Sequence, residues 1–214
     1  MRRNGIIDEE TYQEYLERLL EGDKEGCTEI VESLLDEDID IEDLYTDLIQ
    51  RSMYEVGELW ESGDISVATE HLATSITERI LTLVYPKILS STRKGKSVII
   101  ACVANEYHQI GGRMIADIFE MAGWDSYFVG ADTPIQDLLD LIEEKQPDVV
   151  GFSLAIYFNL PELLEFIEKV REEHSDVKIL VGGQAFSSGG SEVLDDYENT
   201  EYISSINELK DDIA

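Results

Sequence analysis

Apolar residues recur in two different rhythms along this chain, and the change falls near residue 95. Over residues 8–92 they return every three or four positions, the period of amphipathic helices. Tyr12, Tyr15, Leu16, Leu19 and Leu20 form one stripe. Gly22-Asp23 breaks it, and Asp23 is placed to cap a second helix with Cys27, Ile30, Val31, Leu34 and Leu35 on its apolar face. A third stretch over about 41–61 carries Leu44, Leu48, Ile49, Met53, Val56, Leu59 and Trp60. Gly63-Asp64 interrupts it, and a fourth helix is predicted from about Ser66 to Leu89. Four such helices with short connections predict a four-helix bundle.

From Lys96 the pattern becomes one of strands alternating with helices. Ser97–Val103 (SVIIACV) is a continuous apolar run, as a buried parallel strand requires. A helix over 109–122 follows, then a strand at Ser126–Val129, a helix over 134–145, the run Val149–Leu154, a helix over 161–173 and a strand at Val177–Val181. Tyr202-Ile203 is expected to complete the sheet before a last short helix. This alternation predicts a doubly wound, Rossmann-like (flavodoxin-like) α/β domain with a parallel sheet. The expected division is a helical cap over 1–92 and an α/β domain over 96–214, joined by the polar, locally basic stretch Ser90–Lys96.

Charge narrows the partners. The 214 residues hold 47 Asp and Glu against 16 Lys and Arg, a net charge of −31. Both parts share it: residues 1–96 carry 23 acids and 10 bases, residues 97–214 carry 24 and 6, so this is no acidic tail. Such a surface repels phosphate backbones and anionic lipid, which argues against direct nucleic-acid or membrane binding. A hydrophobic fraction of 43% is enough for a packed core. Cys27 and Cys102 stand in no metal-ligand spacing, and Cys102 ends an apolar run and reads as core. Met1-Arg2-Arg3-Asn4-Gly5 lacks the apolar stretch of a signal peptide and no run reaches 18 apolar residues, so a cytoplasmic protein is expected.

In an open α/β sheet ligands bind outside the carboxyl ends of the strands. The loop after the first strand reads Ala104-Asn105-Glu106-Tyr107-His108-Gln109-Ile110-Gly111-Gly112. Glu106 is placed to hold one ring nitrogen of His108 while the other is presented to a metal. Gly111 and Gly112 admit a close approach of a bulky group to the backbone. This Glu-x-His-x-x-Gly element resembles the Asp-x-His-x-x-Gly signature of cobalamin-binding domains. The resemblance implies that His108 is the lower axial ligand of cobalt, with Glu106 behind it and Tyr107 and Gln109 beside it. It further implies that the nucleotide tail runs past Ser153 and Ala155, where the family has a Ser-x-Leu element, and past Gly182-Gly183. Ala155 in place of Leu and Glu106 in place of Asp are departures.

The segment Trp60 to His71 contains a Trp, nine residues, then Glu-His. That spacing resembles CarH-type cobalamin photoreceptors. The likeness implies that Trp60, Val67 and Glu70 enclose the 5′-deoxyadenosyl group, and that His71 ligates cobalt from above after light has expelled it. The expectation is therefore a light sensor rather than an enzyme, holding adenosylcobalamin and signalling through self-association or an output protein, without a DNA-binding domain. A bilin such as biliverdin is a possible second chromophore. The alternative is a corrinoid methyl-carrier subunit of a methyltransferase system, whose upper face stays open to its partner.

Overall fold

The computed structural model describes residues 7–88, 92–187 and 189–213, and the chain divides into two compact units, Met1–Lys87 and Ile88–Ala214. In the first, helix α1 (Glu9–Glu21) starts where Asp8 accepts the Thr11 N–H and ends at Gly22 with φ 76°. Its stripe of Tyr12, Tyr15, Leu16 and Leu19 is buried. Helix α2 (Lys24–Asp36) is capped by Asp23, which accepts from Gly26, and buries Cys27, Val31 and Leu35. The third stretch is not a uniform α-helix. A short α3 (Ile41–Asp43) runs into a π-helical segment, Leu44–Gln50, and then into α4 (Arg51–Ser62). The wider π turn places Leu44, Tyr45, Leu48 and Ile49 all inward. Tyr12 Oη donates to Glu55 at 2.6 Å and the Arg51 guanidinium stacks 3.5 Å over the Tyr12 ring, which fastens α1 to α4. Helix α5 (Val67–Ile88) closes the unit.

The second unit is a five-stranded parallel sheet in the order β2-β1-β3-β4-β5. Its strands are β1 (Ser97–Cys102), β2 (Asp125–Gly130), β3 (Val149–Ser153), β4 (Lys178–Gly182) and β5 (Thr200–Tyr202). Helices α6 (Ile110–Met121), α7 (Ile135–Lys145), α8 (Leu160–Glu173) and α9 (Ile206–Ile213) connect and follow them. One face of the sheet packs Ile99, Ala101, Val150, Phe152, Ile179 and Val181 against Leu138, Leu139 and Ile142 of α7 and Leu163, Phe166 and Ile167 of α8. Each such side chain contributes roughly 1.5–3 kcal/mol when fully buried. Helix α6 covers the other face, with Gly112 against Ile100 and Phe128. The helical part and the doubly wound sheet agree with the expected fold class.

Ser90 and Ser91 of the expected linker lie outside the described residues. Beyond them the chain is fastened to the second unit: Lys94 N–H donates to Gly123 O at 2.7 Å and Arg93 Nη1 to Trp124 O at 2.6 Å. The basic residues there serve as local anchors. Among the described residues no helix is long and apolar enough to cross a membrane.

Candidate functional site

Strand order places the reversal of winding between β1 and β3, and the crevice at such a point is where these sheets take ligands. After Val103 the chain turns through Asn105, whose φ is 64°, and Glu106 N–H closes the turn on Val103 O at 3.1 Å. This sends the Glu106 side chain inward, where it is 0% exposed. Oε1 accepts from the His108 backbone N–H at 2.9 Å and from His108 Nδ1 at 2.6 Å. Oε2 accepts from the backbone N–H groups of Ala155 at 3.0 Å and Ile156 at 2.9 Å, and from Asn159 Nδ2 at 3.3 Å. Burial alone pushes this carboxyl up. The hydrogen bonds from the His108 ring, Ile156 and the His108 backbone outweigh it and hold the group down at about 2. Glu106 is thus a carboxylate that can only accept, so the His108 ring donates through Nδ1, and the neutral ring carries its lone pair on Nε2. The His108 side chain is 52% exposed.

The other loop residues gather around this pair. Tyr107 is exposed, its hydroxyl 3.4 Å from Asp132 Oδ2. Gln109 precedes α6, and its Oε1 lies 3.2 Å from where a side chain on Gly130 would begin. A Cβ on Gly112 would come within 3.3 Å of both Phe128 Cε2 and Ser153 Cβ, and one on Gly111 within 3.6 Å of Ser153 Oγ. Small residues therefore let α6 start directly against the ends of β1 and β3. Ala155 contributes its backbone N–H to Glu106, which explains why the missing Leu side chain is no obstacle at this contact. Gly183 has φ 118°, and a Cβ there would fall 2.2 Å from Leu154 O. The protein's own backbone requires this glycine before any ligand is considered. Gly182 is close-packed in the same way, with Ile203 O 3.2 Å from a notional Cβ.

The four residues expected above a cofactor lie at the α4–α5 turn of the helical unit. Trp60 is 46% and Val67 52% exposed. Glu70 Oε2 bonds His71 Nδ1 at 2.5 Å, Glu70 Oε1 accepts from Thr74 Oγ1 at 2.8 Å, and the His71 side chain is 75% exposed. These are contacts that the first turns of a solvated helix make for themselves.

Two contributors were not anticipated from sequence. Asn159 and the Ala155–Ile156 amides reach Glu106 across about 50 residues of chain. Asp132 accepts the Asn105 N–H at 2.9 Å from the loop after β2. Only the position of both segments at carboxyl ends of strands signals them in advance.

The comparisons with known proteins bear on the fold and on the class of cofactor. The B12 binding domain family matches residues 96–203, and a second family described as B12 binding domain matches residues 11–85. Dimethylamine corrinoid protein 3 of Methanosarcina acetivorans is 27% identical over 163 residues, covering 75% of this chain and 76% of that protein. The trimethylamine corrinoid protein of Methanosarcina barkeri is 26% identical over 182 residues, covering 82% and 83%. The solved monomethylamine corrinoid protein of Methanosarcina barkeri superposes with a TM-score of 0.82 at 13% identity, over 95% of this chain and 97% of that one, which shows the shared fold. These relatives overturn the expected light sensor: both curated relatives, matched along most of the chain, are methylamine corrinoid proteins. The Trp60-to-His71 spacing was too short a pattern to carry that function on a helix surface. The adenosyl preference and the bilin followed from the same reading and have no other support. What stands is the corrinoid as the class of cofactor, and the chain belongs to the B12-binding domain family.

Proposed function

We propose that this chain is a corrinoid-binding methyl carrier, the subunit that presents a cobalamin-type cofactor to a methyltransferase. The observation that carries the reading is the buried Glu106 carboxylate holding His108 by Nδ1 at the carboxyl end of β1. The donor set suits the cofactor. Among the described residues no three His, Cys, Asp or Glu side chains gather into a metal cage. A corrin brings its own four equatorial nitrogens, so one oriented imidazole is what the protein must add. In this reading His108 would hold the cobalt through Nε2, and Glu106 would keep the ring proton on Nδ1. Tyr107 and Gln109 flank His108, and Gly111, Ser153, Ala155, Gly182 and Gly183 are the residues along which the nucleotide tail would run. When bound, the corrinoid supplies the cobalt–carbon chemistry of methyl transfer; the chain supplies ligation and orientation. The dimethylamine and trimethylamine corrinoid relatives favour the carrier over other corrinoid proteins. A net charge of −31 suits a partner with a basic docking face.

Loaded with methylcobalamin in the dark, the protein is expected to retain the corrinoid through gel filtration. It should yield its methyl group to a thiol when supplied with a methyltransferase that accepts methylamine corrinoid proteins. His108→Ala should lose most of the retained corrinoid. A protein that retains none, or whose methyl group is inert to that enzyme, would refute the proposal.

A further inference from the structure

The loop between β2 and α7 touches the histidine loop through one residue, Asp132. Its Oδ1 accepts the Asn105 N–H at 2.9 Å, its own N–H donates to Glu106 O at 3.0 Å, and its Oδ2 accepts from the Tyr107 hydroxyl at 3.4 Å. Thr133 N–H continues the seam to Cys102 O at 3.3 Å. Three consecutive residues, with Glu106 at their centre, are thereby tied to one aspartate. Both partners of the Asn105–Asp132 bond hold left-handed backbone, φ 64° and 49°. Non-glycine residues keep that conformation only where their surroundings determine it.

Glu106 is bonded through its side chain to His108 and to the loop after β3; along its backbone, Glu106 N–H closes on Val103 O at 3.1 Å and Asn159 Nδ2 donates to Asn105 O at 3.2 Å. The backbone sets where the carboxylate reaches, and Asp132 is what holds it from the side opposite β3, since β2 and β3 flank β1. We infer that Asp132 is a positioning residue for the metal-ligand histidine, acting through the Asn105–Tyr107 segment. The inference rests on the reading of His108 as the lower ligand.

The test uses full-length protein labelled with ¹⁵N-histidine, loaded with cobalamin, reduced to the Co(II) state and examined by electron paramagnetic resonance. A ¹⁵N doublet reports His108 on cobalt, and a ¹⁴N triplet reports the cofactor's own base. Asp132→Gly accepts φ 49° without strain, keeps the backbone N–H and removes only the carboxylate. It is expected to shift the ratio of histidine-ligated to unligated cofactor about tenfold, as the Asn105 N–H and the Tyr107 hydroxyl lose their charged acceptor. Asp132→Asn retains the Oδ1 acceptor without its charge and should fall between wild type and the glycine variant. An unchanged doublet in Asp132→Gly overturns the inference, as does an Asp132→Asn protein as impaired as the glycine variant. If Asp132→Gly does not fold, judged by circular dichroism, Asp132→Ser gives the same reading with a side chain too short to span the contact. A wild-type protein without the doublet, or a doublet that survives His108→Ala, refutes the parent reading instead.

Discussion

Replacing Glu106 by glutamine changes almost no volume, yet it puts an NH₂ group where only acceptors are tolerated. Two donors meet Oε1 and three meet Oε2. With the amide nitrogen at the Oε2 position, the Ala155 and Ile156 N–H groups lose their acceptor. With it at the Oε1 position, the His108 ring can switch tautomer and accept at Nδ1, and only the His108 backbone N–H is stranded. The second arrangement is cheaper, at about 1–3 kcal/mol for the orphaned amide plus the lost charge assistance of the remaining bonds. About 2–4 kcal/mol is therefore expected. The depressed titration gives a similar size: a carboxyl brought from 4.5 to about 2 corresponds to roughly 3 kcal/mol at about 1.4 kcal/mol per unit. The sign follows from a folded value below the unfolded one. This stability is fully present above about pH 4.5 and is lost as pH falls toward 2. Each unit holds one tryptophan, Trp60 and Trp124, so Trp124 fluorescence in a Trp60→Phe background follows urea unfolding of the α/β unit alone. Glu106→Gln should lower that unit's stability by the stated amount at pH 7, and the gap to wild type should close toward pH 3. A difference below about 0.5 kcal/mol at pH 7, or a gap constant with pH, would refute the reasoning. The same substitution moves the proton to Nε2, so histidine ligation should fall even where the fold survives.

Gly183→Ala places a Cβ 2.2 Å from Leu154 O at φ 118°, and should cost about 3 kcal/mol or more, read as a lowered urea midpoint of the Trp124 signal. Burial pushes the Cys27 and Cys102 thiols up to about 11 and about 12, so neither should react with iodoacetamide at pH 8 until urea opens its unit. Rapid labelling of either in the native protein would contradict its buried position. Tyr12→Phe removes the 2.6 Å bond to Glu55 and should lower the stability of the helical unit by about 1 kcal/mol, measured by Trp60 fluorescence in a Trp124→Phe background.

Local pattern made the elements legible. The run Ser97–Cys102 could be little other than a central strand, and five of its six residues are buried. The Glu106–His108 pair was legible because its two members lie on one short loop and their chemistry needs only that spacing. Asn159 and Asp132 were not, because their contacts join residues 53 and 27 positions apart and no periodicity records such a meeting. The π segment escaped notice for a related reason: Leu44, Leu48 and Ile49 suit a 3.6-residue repeat well enough, and only the backbone shows the wider turn. The light-sensing assignment failed where the pattern was weakest. Trp60 and Glu70-His71 sit on partly exposed helix surface, where the fold places few demands on side-chain identity.

That π turn has a consequence for the phase of everything after it. Hydrogen bonds from i to i+5 take up more residues per turn than an α-helix does. Each residue of α-helix is worth about 100° of rotation. Deleting one residue within Leu44–Gln50 would let the segment relax to ordinary α geometry with α4 still in phase, whereas drawing all seven residues into α geometry would rotate α4 by about that angle relative to α3. Ser52 and Val56 would swing out of the bundle, and Arg51 would leave the Tyr12 ring. The widened turn thus works as a phase corrector, an extra residue absorbed in the backbone so that two halves of one long helix can share a single inward face.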